Sequence, residues 1–537
     1  MTDRGTGGNG TPFRFAYRRS PDQDRAAPAR HPVVVVGAGP VGLSAAIDLA
    51  LRGVPVVVLD DADRIGEGSR AICFAKRTLE IWDRLGVAGP MLDRGVTWRT
   101  GRVFFRDRQV YEFDLLPEDG HKLPAFINLQ QYYAEHELVA RAEALPNLEL
   151  RWRNRVTDAA PRPDGVRVEI DTPDGPYAVE AGWLVAADGA RSTVRRRLGL
   201  DFAGQVFEDR FLIADVTMQA DYPTERRFWF EPPFHSGQSA LLHRQPDNVW
   251  RIDLQLGPEA DPEEEKKPAR VLPRLRRMLG DRPFRLEWVS VYTFQCRRLE
   301  RFVHGRVLFA GDAAHLVSPF GARGANSGVQ DAENLAWKLA LVLDGRAPES
   351  LIDSYHGERA AAADENIAHS TRSTDFIAPR SPVERLFRNA VLELAAHTAF
   401  AKRMVNSGRL STPCVYDSPL STPDRDAWGG QARLGAPVPD APLVDARGQA
   451  CWLLDRLSPG FNLLHVADGA RPNVPAGVSL TVVGEDVRDE TGHFTRRFDA
   501  RPGSAYLLRP DQHLAARFRA HDGAGLDAAL ARATGRF

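Results

Sequence analysis

An α/β fold, in which a doubly wound parallel sheet is interleaved with a mainly antiparallel second sheet and followed by a small α/β module, is predicted by three observations. The stretch "VVVV", Val33 to Val36, is apolar on every face, as in strands buried within a parallel sheet. It runs directly into "GAGPVG" and then into apolar residues at helical spacing, so a strand, a glycine turn and a helix follow in order. From Phe211 the pattern changes to longer alternating runs, "FLIADVTMQA", "RRFWFEP" and "LEWVSVYTFQC", which suit antiparallel strands with one covered face.

Residues 1–30, rich in Gly, Pro and charge and without the apolar centre of a signal peptide, read as a mobile N-terminal arm. The nucleotide-binding domain is expected over 31–208 and 297–345. Within it Ser44 to Leu51 is helical, Gly53 ends that helix, and Val56 to Leu59 forms a second strand closing on Asp60, a β-α-β unit of Rossmann-like type. "AKRTLEIWDRLGV" and "NLQQYYAEHELVARAEAL" predict two more helices, Leu148 to Glu180 an antiparallel hairpin insert, and "WLVAADGARSTVRRRLG" a return to buried strand. Residues 209–296 form the second sheet, which interrupts the nucleotide domain. Helices are expected over 346–410, a Pro/Asp-rich linker over 411–433, and the C-terminal α/β module over 434–537, with strands in "FNLLHVAD", "VSLTVVG" and "AYLLRPDQHLAAR".

The composition of this 537-residue chain, 43% apolar and 26% charged, is globular. A formal charge of −1 gives no general attraction to nucleic acid or anionic lipid, so no nucleic-acid partner is expected. No apolar run approaches the roughly 20 residues that span a bilayer, so no membrane insertion is expected either. Cys73, Cys296, Cys414 and Cys451 show no CxxC pair. They predict neither disulfides nor a metal site, and a cytoplasmic location.

Chemistry concentrates at three strand ends. Gly37, Gly39 and Gly42 stand at GxGxxG spacing, where the first permits the tight turn, the second lets a pyrophosphate reach the backbone and the third allows close helix packing. Asp60, at the end of the next strand, is placed to accept hydrogen bonds from a ribose. "VAADGARSTVRR" ends a strand in Asp188-Gly189, with Ser192 and Arg195 on the turn beyond, and "VLFAGDAAH" ends another in Gly311-Asp312. A loop rich in Gly and small polar residues, "HLVSPFGARGANSGVQDAENLAWKLAL", follows. Ordering so much glycine is costly, which points to a ligand that approaches the backbone closely.

In this order and spacing, the three motifs resemble the single-component flavoprotein monooxygenases that hydroxylate aromatic compounds, the para-hydroxybenzoate and phenol hydroxylase class. "GEGSRAICFAKRTLEIWDRLG" is similar to the 3-(3-hydroxyphenyl)propionate hydroxylase-like branch. The resemblance covers Val33 to Leu343, and the C-terminal module is similar to the thioredoxin-like tail of phenol hydroxylases but has no CxxC. It implies an FAD-binding domain, a substrate domain on the second sheet, and FAD as cofactor. Asp312 would contact its ribityl or pyrophosphate region and Pro319 its reactive edge. Gly321, Gly324 and Asn326 would face the ring, and Arg70 and Gln131, with Gln130 competing for that register, would hold the pyrophosphate and FAD chain. The chain departs from the family in having Ser318-Pro319 for Pro-Pro, and Gly321-Ala322-Arg323-Gly324-Ala325-Asn326 for Gly-Gln-Gly-Met-Asn. Arg323 therefore either adds positive charge near the flavin or points to solvent.

The resemblance also implies the reaction. NADH or NADPH reduces FAD, oxygen adds to form a hydroperoxyflavin, and one oxygen atom passes to a phenolic ring, so the partners are O2 and a small aromatic substrate. A phenol needs a proton acceptor in the pocket. Candidates on the second sheet are His243 and Tyr292, then Gln295 and His235, beside aromatic walls from Trp229 and Phe230; His315 reads as structural. Three alternatives stay open: a larger polyketide or antibiotic-type substrate, a flavin oxidase or dehydrogenase without oxygen transfer, and a non-catalytic nucleotide-binding protein. The C-terminal module either forms a homodimer contact or covers the FAD domain.

Overall fold

Four sheets organise the residues that the computed structural model describes, which are 13–66, 71–405, 410–469 and 471–536. The first has a parallel core in the order Val307–Phe309, Tyr177–Ala186, Ala29–Val36, Val56–Leu59 and Leu148–Arg151. Val33, Val34, Val35 and Val58 at its centre are fully buried, as an apolar run in a parallel sheet requires. Leu148–Arg151, expected in the hairpin insert, is instead the edge of this parallel core. The helix Gln131–Glu143 carries the chain back across the sheet and makes a second β-α-β unit. Only Arg155–Arg162 and Gly165–Asp171 form the antiparallel insert. The first helix begins at Pro40 rather than Ser44, because Gly39 caps it and proline is suited to a first helical position.

The second sheet has eight strands, in the order His315–Leu316, Arg285–Leu299, Phe202–Thr217, Val249–Leu256, Ser239–Arg244, Arg226–Phe230, Thr100–Phe105 and Arg108–Asp114. It extends past both ends of 209–296 and recruits the hairpin 100–114 from the range expected for the nucleotide domain. That hairpin alternates, with Val103, Phe105, Val110 and Phe113 buried, and so has an apolar face to contribute. The sheet is covered on both sides. Phe211, Phe228, Phe230, Leu241 and Phe294 face the helix Asp353–Ile377, whose Ile377 joins their cluster, whereas Leu212, Trp250, Ile252 and Leu254 pack under the helix Pro268–Leu279. A three-stranded sheet, Cys73–Ala75, Phe126–Asn128 and Val96–Trp98, bridges the two large ones.

From Phe13 to residue 30 the expected mobile arm is packed. Phe15 stacks on Trp152 at 4.4 Å between ring centroids, and buried Asp22 pairs with Arg151 at 2.7 Å. The seven-stranded C-terminal sheet is mixed, with Phe461–Val466 and Val478–Val483 parallel at its centre and the helices His493–Phe498 and Gly523–Ala533 beside it. It is locked to the first domain by buried ions. Arg509 pairs with Glu358, which also pairs with Lys338, and Arg77, itself paired with Glu333, donates to Gln512 at 3.1 Å and to the Asp511 carbonyl at 2.8 Å, all of them buried. The expected linker is part of this seam. Tyr416 is buried, stacks on His513 at 4.7 Å, and accepts a hydrogen bond from Arg359 at 2.8 Å. Among the described residues no helix is long and apolar enough to cross a membrane, and no group of three or more His, Cys, Asp or Glu could hold a metal ion.

Candidate active site

Three strand ends of the parallel sheet meet at one edge, and the glycines there are required for different reasons. Gly37 has φ 104°, and a Cβ on it would lie 2.5 Å from the Ala187 carbonyl oxygen; a Cβ on Gly42 would lie 2.0 Å from the Gly37 carbonyl oxygen. Both are fixed by the protein's own packing. A Cβ on Gly39 would meet nothing within 4 Å. The chain therefore keeps a bare backbone facing open space at the first turn of a helix, which is the cradle a pyrophosphate needs.

The acidic groups brace this edge. Asp60 accepts hydrogen bonds from Ala38 N at 2.6 Å and Ala62 N at 2.9 Å, so it holds the glycine turn as well as standing at the expected ribose position. Burial pushes its carboxyl up to about 6 despite those two bonds. Asp188 accepts from Thr193 N and Val194 N through Oδ2, while its Oδ1 is buried without a partner and burial raises its pKa. Ser192 caps the short helix Thr193–Arg197, and Arg195 donates to the carbonyls of Ala190 and Ala313, tying the Asp188 turn to the Gly311 turn. Asp312 is exposed at the head of this edge.

The glycine-rich loop is held from behind. Asp331, fully buried on the helix Gly324–Leu343, accepts from Gly311 N at 2.9 Å and pairs with His315 at 2.6 Å and Arg359 at 2.6 Å. Burial pushes the Asp331 carboxyl up, but these partners hold it below its usual range. His315 is thus structural, as the sequence suggests. Gly328 has no room for a side chain, since a Cβ would lie 2.5 Å from Val41 Cγ2 and 3.1 Å from Gly311 Cα. Pro319 is exposed, and the loop then turns through Gly321, φ 118°, and Ala322, φ 52°. Gly324 opens the helix, with Val317 Cγ2 3.7 Å from a would-be Cβ.

Other expected contacts fall differently. The Asn326 side chain cannot present its amide to a ligand ring, because Oδ1 accepts from Ala75 N and Thr78 Oγ1 and Nδ2 donates to the Cys73 and Ala322 carbonyls. Arg323 neither points to solvent nor stands free; it is buried and donates to Asn366 at 2.8 Å. Gln131 accepts from Ala71 N and donates to Glu135, which in turn accepts from Gly66 N, so it steadies both ends of the segment containing Arg70. Arg70 itself lies outside the described residues. Gln130 is buried and faces the Pro246 carbonyl, with Oε1 unpartnered.

A cavity opens from this loop onto the second sheet, walled by Phe113, Phe228, Phe230, Phe320, Phe376 and Ile377 and reaching Gly321 and Arg226. Strand register explains its floor. One row across the sheet runs Gly101, Arg226, His243, Arg251 and Asp215, the next contains Val103, Phe228, Leu241 and Asp253, and the next Phe105, Phe230, Ser239, Gln255, Phe211 and Tyr292. The surface thus grades from charged to aromatic. Arg251 is neutralised by Asp215 at 2.9 Å. His243 is buried, its Nδ1 has no partner, and burial together with Arg226 and Arg251 holds its pKa well below the usual range, so the ring is neutral. Tyr292 packs against the aromatic cluster around Phe211 and Phe294. His235 is committed to the Gln255 carbonyl at 2.7 Å, and Trp229, expected as a cavity wall, lies on the opposite face against Phe104 and Phe234 because strand side chains alternate. Arg226, Asp253, Gly328 and Asp331 are the site residues that sequence reading missed. A glycine inside a helix was the available signal for Gly328.

Comparison with known proteins agrees with this geometry. Residues 30–370 match the family model described as FAD binding domain. The chain is 33% identical over 522 residues to 6-methylpretetramide 4-monooxygenase of Streptomyces rimosus, covering 90% of each chain. It is 29% identical over 518 residues to the 3-(3-hydroxy-phenyl)propionate/3-hydroxycinnamic acid hydroxylase of Mycobacterium sp. (strain JLS), covering 90% of this chain and 88% of that protein. Among solved structures, the OxyS anhydrotetracycline hydroxylase from Streptomyces rimosus superposes with a TM-score of 0.72 at 28% identity, covering 94% of this chain and 99% of that one. The flavin-dependent monooxygenase PieE, solved with FAD and substrate, shares the fold with a TM-score of 0.79 at 24% identity. The bare glycine cradle fits FAD, and this chain belongs to the FAD-dependent monooxygenase family that includes the aromatic hydroxylases.

Proposed function

We propose that the protein uses NADH or NADPH and O2 to hydroxylate a phenolic ring held in the cavity between the glycine-rich loop and the second sheet. The observation that carries this reading is the continuity of the two sites, since one loop, Pro319 to Gly324, both borders the cofactor edge and contributes Phe320 and Gly321 to an aromatic-walled cavity. When bound, FAD would accept electrons from the nicotinamide and activate O2 for transfer of one oxygen atom to the ring.

The chain's own residues bind, orient and exclude water. Gly39 presents its backbone to the pyrophosphate, Gly37 and Gly42 shape the turn that exposes it, and Asp60 stands at the ribose. Asp188, Gly311 and Asp312 line the same edge, and Gln131 supports the loop that contains Arg70. Gly321 and Gly324 leave backbone free beside the ring, Asn326 fixes that loop from behind, and Pro319 borders the reacting edge. The N-terminus of the helix Gly324–Leu343 favours negative charge there. Phe113, Phe228, Phe230, Phe320 and Phe376 hold the substrate ring by apolar and edge-to-face contact. His243 and Tyr292, the expected proton acceptor and hydrogen-bond partner, are not among the residues lining this cavity, and the lowered proton affinity of the buried His243 suits its ring to accepting a hydrogen bond rather than a full proton. The C-terminal sheet is a thioredoxin-like module that acts as a structural clamp, as its buried contacts with Glu358 and Arg77 suggest.

Two relatives act on polycyclic substrates and one on phenylpropanoids by their names, and the cavity's five phenylalanines suit either class. The test is oxidation of NADH and NADPH in air with 3-(3-hydroxyphenyl)propionate, simple phenols and anhydrotetracycline. Consumption that rises with one aromatic compound and yields a hydroxylated product is expected. Flavin reduction by the substrate alone, without nicotinamide, would establish an oxidase instead.

A further inference from the structure

The helices Pro382–Ala395 and Ala399–Val405 carry an apolar surface open to solvent. Of the ten large apolar side chains exposed among the described residues, six lie between 383 and 404, so the exposure is concentrated in one patch rather than scattered. Val383 is 75% exposed, Leu386 72% and Phe400 66%, and Phe387, Leu394 and Met404 accompany them. Val383, Leu386, Phe387, Ala390 and Leu394 recur at intervals of three and four, which makes one stripe of a helix. The opposite side of that helix is already used. Arg388, Val391, Leu392 and Ala395 are buried, Leu392 joins the aromatic cluster of the second sheet, and Arg388 pairs with Glu231 and donates to the Ile377 carbonyl. A helix with apolar residues on both sides needs covering on both.

Size, symmetry and charge indicate what covers it. At roughly 150–250 Å² for each large side chain, the six exposed fractions together offer on the order of 600 Å², the upper end of what a monomer leaves bare. The flanking residues bring this face towards the roughly 800 Å² per partner of a stable complex. The stripe is also symmetric about Ala390, which is exposed and has Leu386 four residues before it and Leu394 four after. An antiparallel copy of the helix, related by a two-fold axis at Ala390, sets Leu386 against Leu394 of the partner subunit, and the small alanine at the crossing lets the two backbones approach. Beside the stripe, Glu393, Lys402 and Arg403 make no ion pair among the described residues, so each copy offers the other unmatched charges of both signs. Glu393 at this edge disfavours an anionic lipid surface, which attracts helices whose polar side is basic.

We infer that Pro382–Ala395 and Ala399–Val405 form an isologous interface between two copies of this chain, in which the stripes cross at Ala390 while Phe400 and Met404 extend the contact. The inner side of the same helices borders the cavity, since Ile377 and Val405 line it and Leu392 packs into the same aromatic cluster. Association of the two copies therefore clamps the helices that wall the cavity. The interface rests on the bare stripe and is independent of the monooxygenase reading.

The test is sedimentation velocity of the FAD-loaded full chain over roughly a hundredfold range of concentration, enough to bracket a micromolar dissociation constant. The wild type should sediment at twice the 59.4 kDa of one chain. Leu386→Glu and Phe400→Glu place an unpaired charge in the face without touching the interior, so each should weaken the dimer at least about tenfold while keeping the wild-type flavin spectrum. The control Leu51→Glu, at an exposed leucine outside the patch, should stay dimeric. On mild oxidation Ala390→Cys should give a disulfide-linked dimer where the wild type gives none, because the two sulfurs meet across the axis. That variant decides the question alone if the charged ones lose their flavin. A wild type that sediments as one chain throughout, a dimer that both charged variants leave intact, or an Ala390→Cys protein that does not cross-link overturns the assignment. A monomeric wild type that pellets with phosphatidylglycerol vesicles overturns it too, and gives the face to a membrane surface.

Discussion

Gly39 and Gly42 differ by three positions in one motif, and replacing each with alanine should separate folding from cofactor binding. In Gly39→Ala the new Cβ enters open space, and the backbone at φ −77° and ψ 178° already suits an L-residue. The cofactor-free protein should lose no stability and should gain up to about 1 kcal/mol through the unfolded chain. The added methyl nevertheless occupies the approach to the helix N-terminus. Losing one or two charge-assisted contacts to the pyrophosphate, at about 1.5–3 kcal/mol each, weakens FAD binding at least tenfold. In Gly42→Ala the Cβ would stand 2.0 Å from the Gly37 carbonyl oxygen and 3.3 Å from Ala187 Cβ, so backbone must move. Overpacking of this kind costs about 1–3 kcal/mol, and the cofactor-free protein should melt lower. Calorimetry of the cofactor-free forms and titration with FAD, followed by flavin fluorescence, read the two effects separately. A Gly39→Ala protein that binds FAD like the wild type, or that melts as low as Gly42→Ala, would refute this reading of the cradle.

Three other outcomes follow from the same geometry. Asp331→Asn strands Arg359 and weakens the grip on Gly311 N and His315, so it should lower stability by about 3–5 kcal/mol in chemical denaturation. Because Asp331 sits below the usual carboxyl range, its contribution is present above the unfolded-state pKa and fades as pH falls. Asp60 has the opposite sign: burial raises it to about 6, so the folded chain binds its proton more readily. Through this group the cofactor-free protein loses stability as pH rises from about 4 to about 6, and Asp60→Asn should flatten that part of the melting-temperature profile against pH. Glu358→Gln weakens the pairs with Arg509 and Lys338 at the seam, and should make the C-terminal module more sensitive to limited proteolysis and lower the melting temperature.

Much of the cofactor edge was legible in the sequence because its requirements are local. A glycine whose neighbour's carbonyl leaves no room for a Cβ must be glycine, so Gly37 and Gly42 are visible at fixed spacing, and strands ending in Asp188 and Gly311-Asp312 are read the same way. The cavity was less legible because it depends on register between strands distant in sequence. "ERRF" does not say which arginine faces inward; that follows once Phe228 and Phe230 are paired with Leu241 and Ser239 across the sheet. The same alternation removed Trp229 from the wall. The arm and the linker read as loose because their polar composition resembles surface chain. Their anchors, Phe15 on Trp152 and Tyr416 on His513, are single aromatic residues whose partners lie far along the chain. Asn326 was read as a ligand contact because the family resemblance implies one there, and only its four protein partners show it to be a brace.

Oxygen transfer to an aromatic ring is the central claim, and isotope incorporation tests it most directly. Incubation of the FAD-loaded protein under ¹⁸O2 with a nicotinamide donor and the aromatic compound that most stimulates its oxidation, with mass analysis of the product, should give a phenol carrying one heavy oxygen atom. Nicotinamide oxidation that ends only in labelled hydrogen peroxide, with the aromatic compound unchanged across phenols, phenylpropanoids and anhydrotetracycline, would contradict the account.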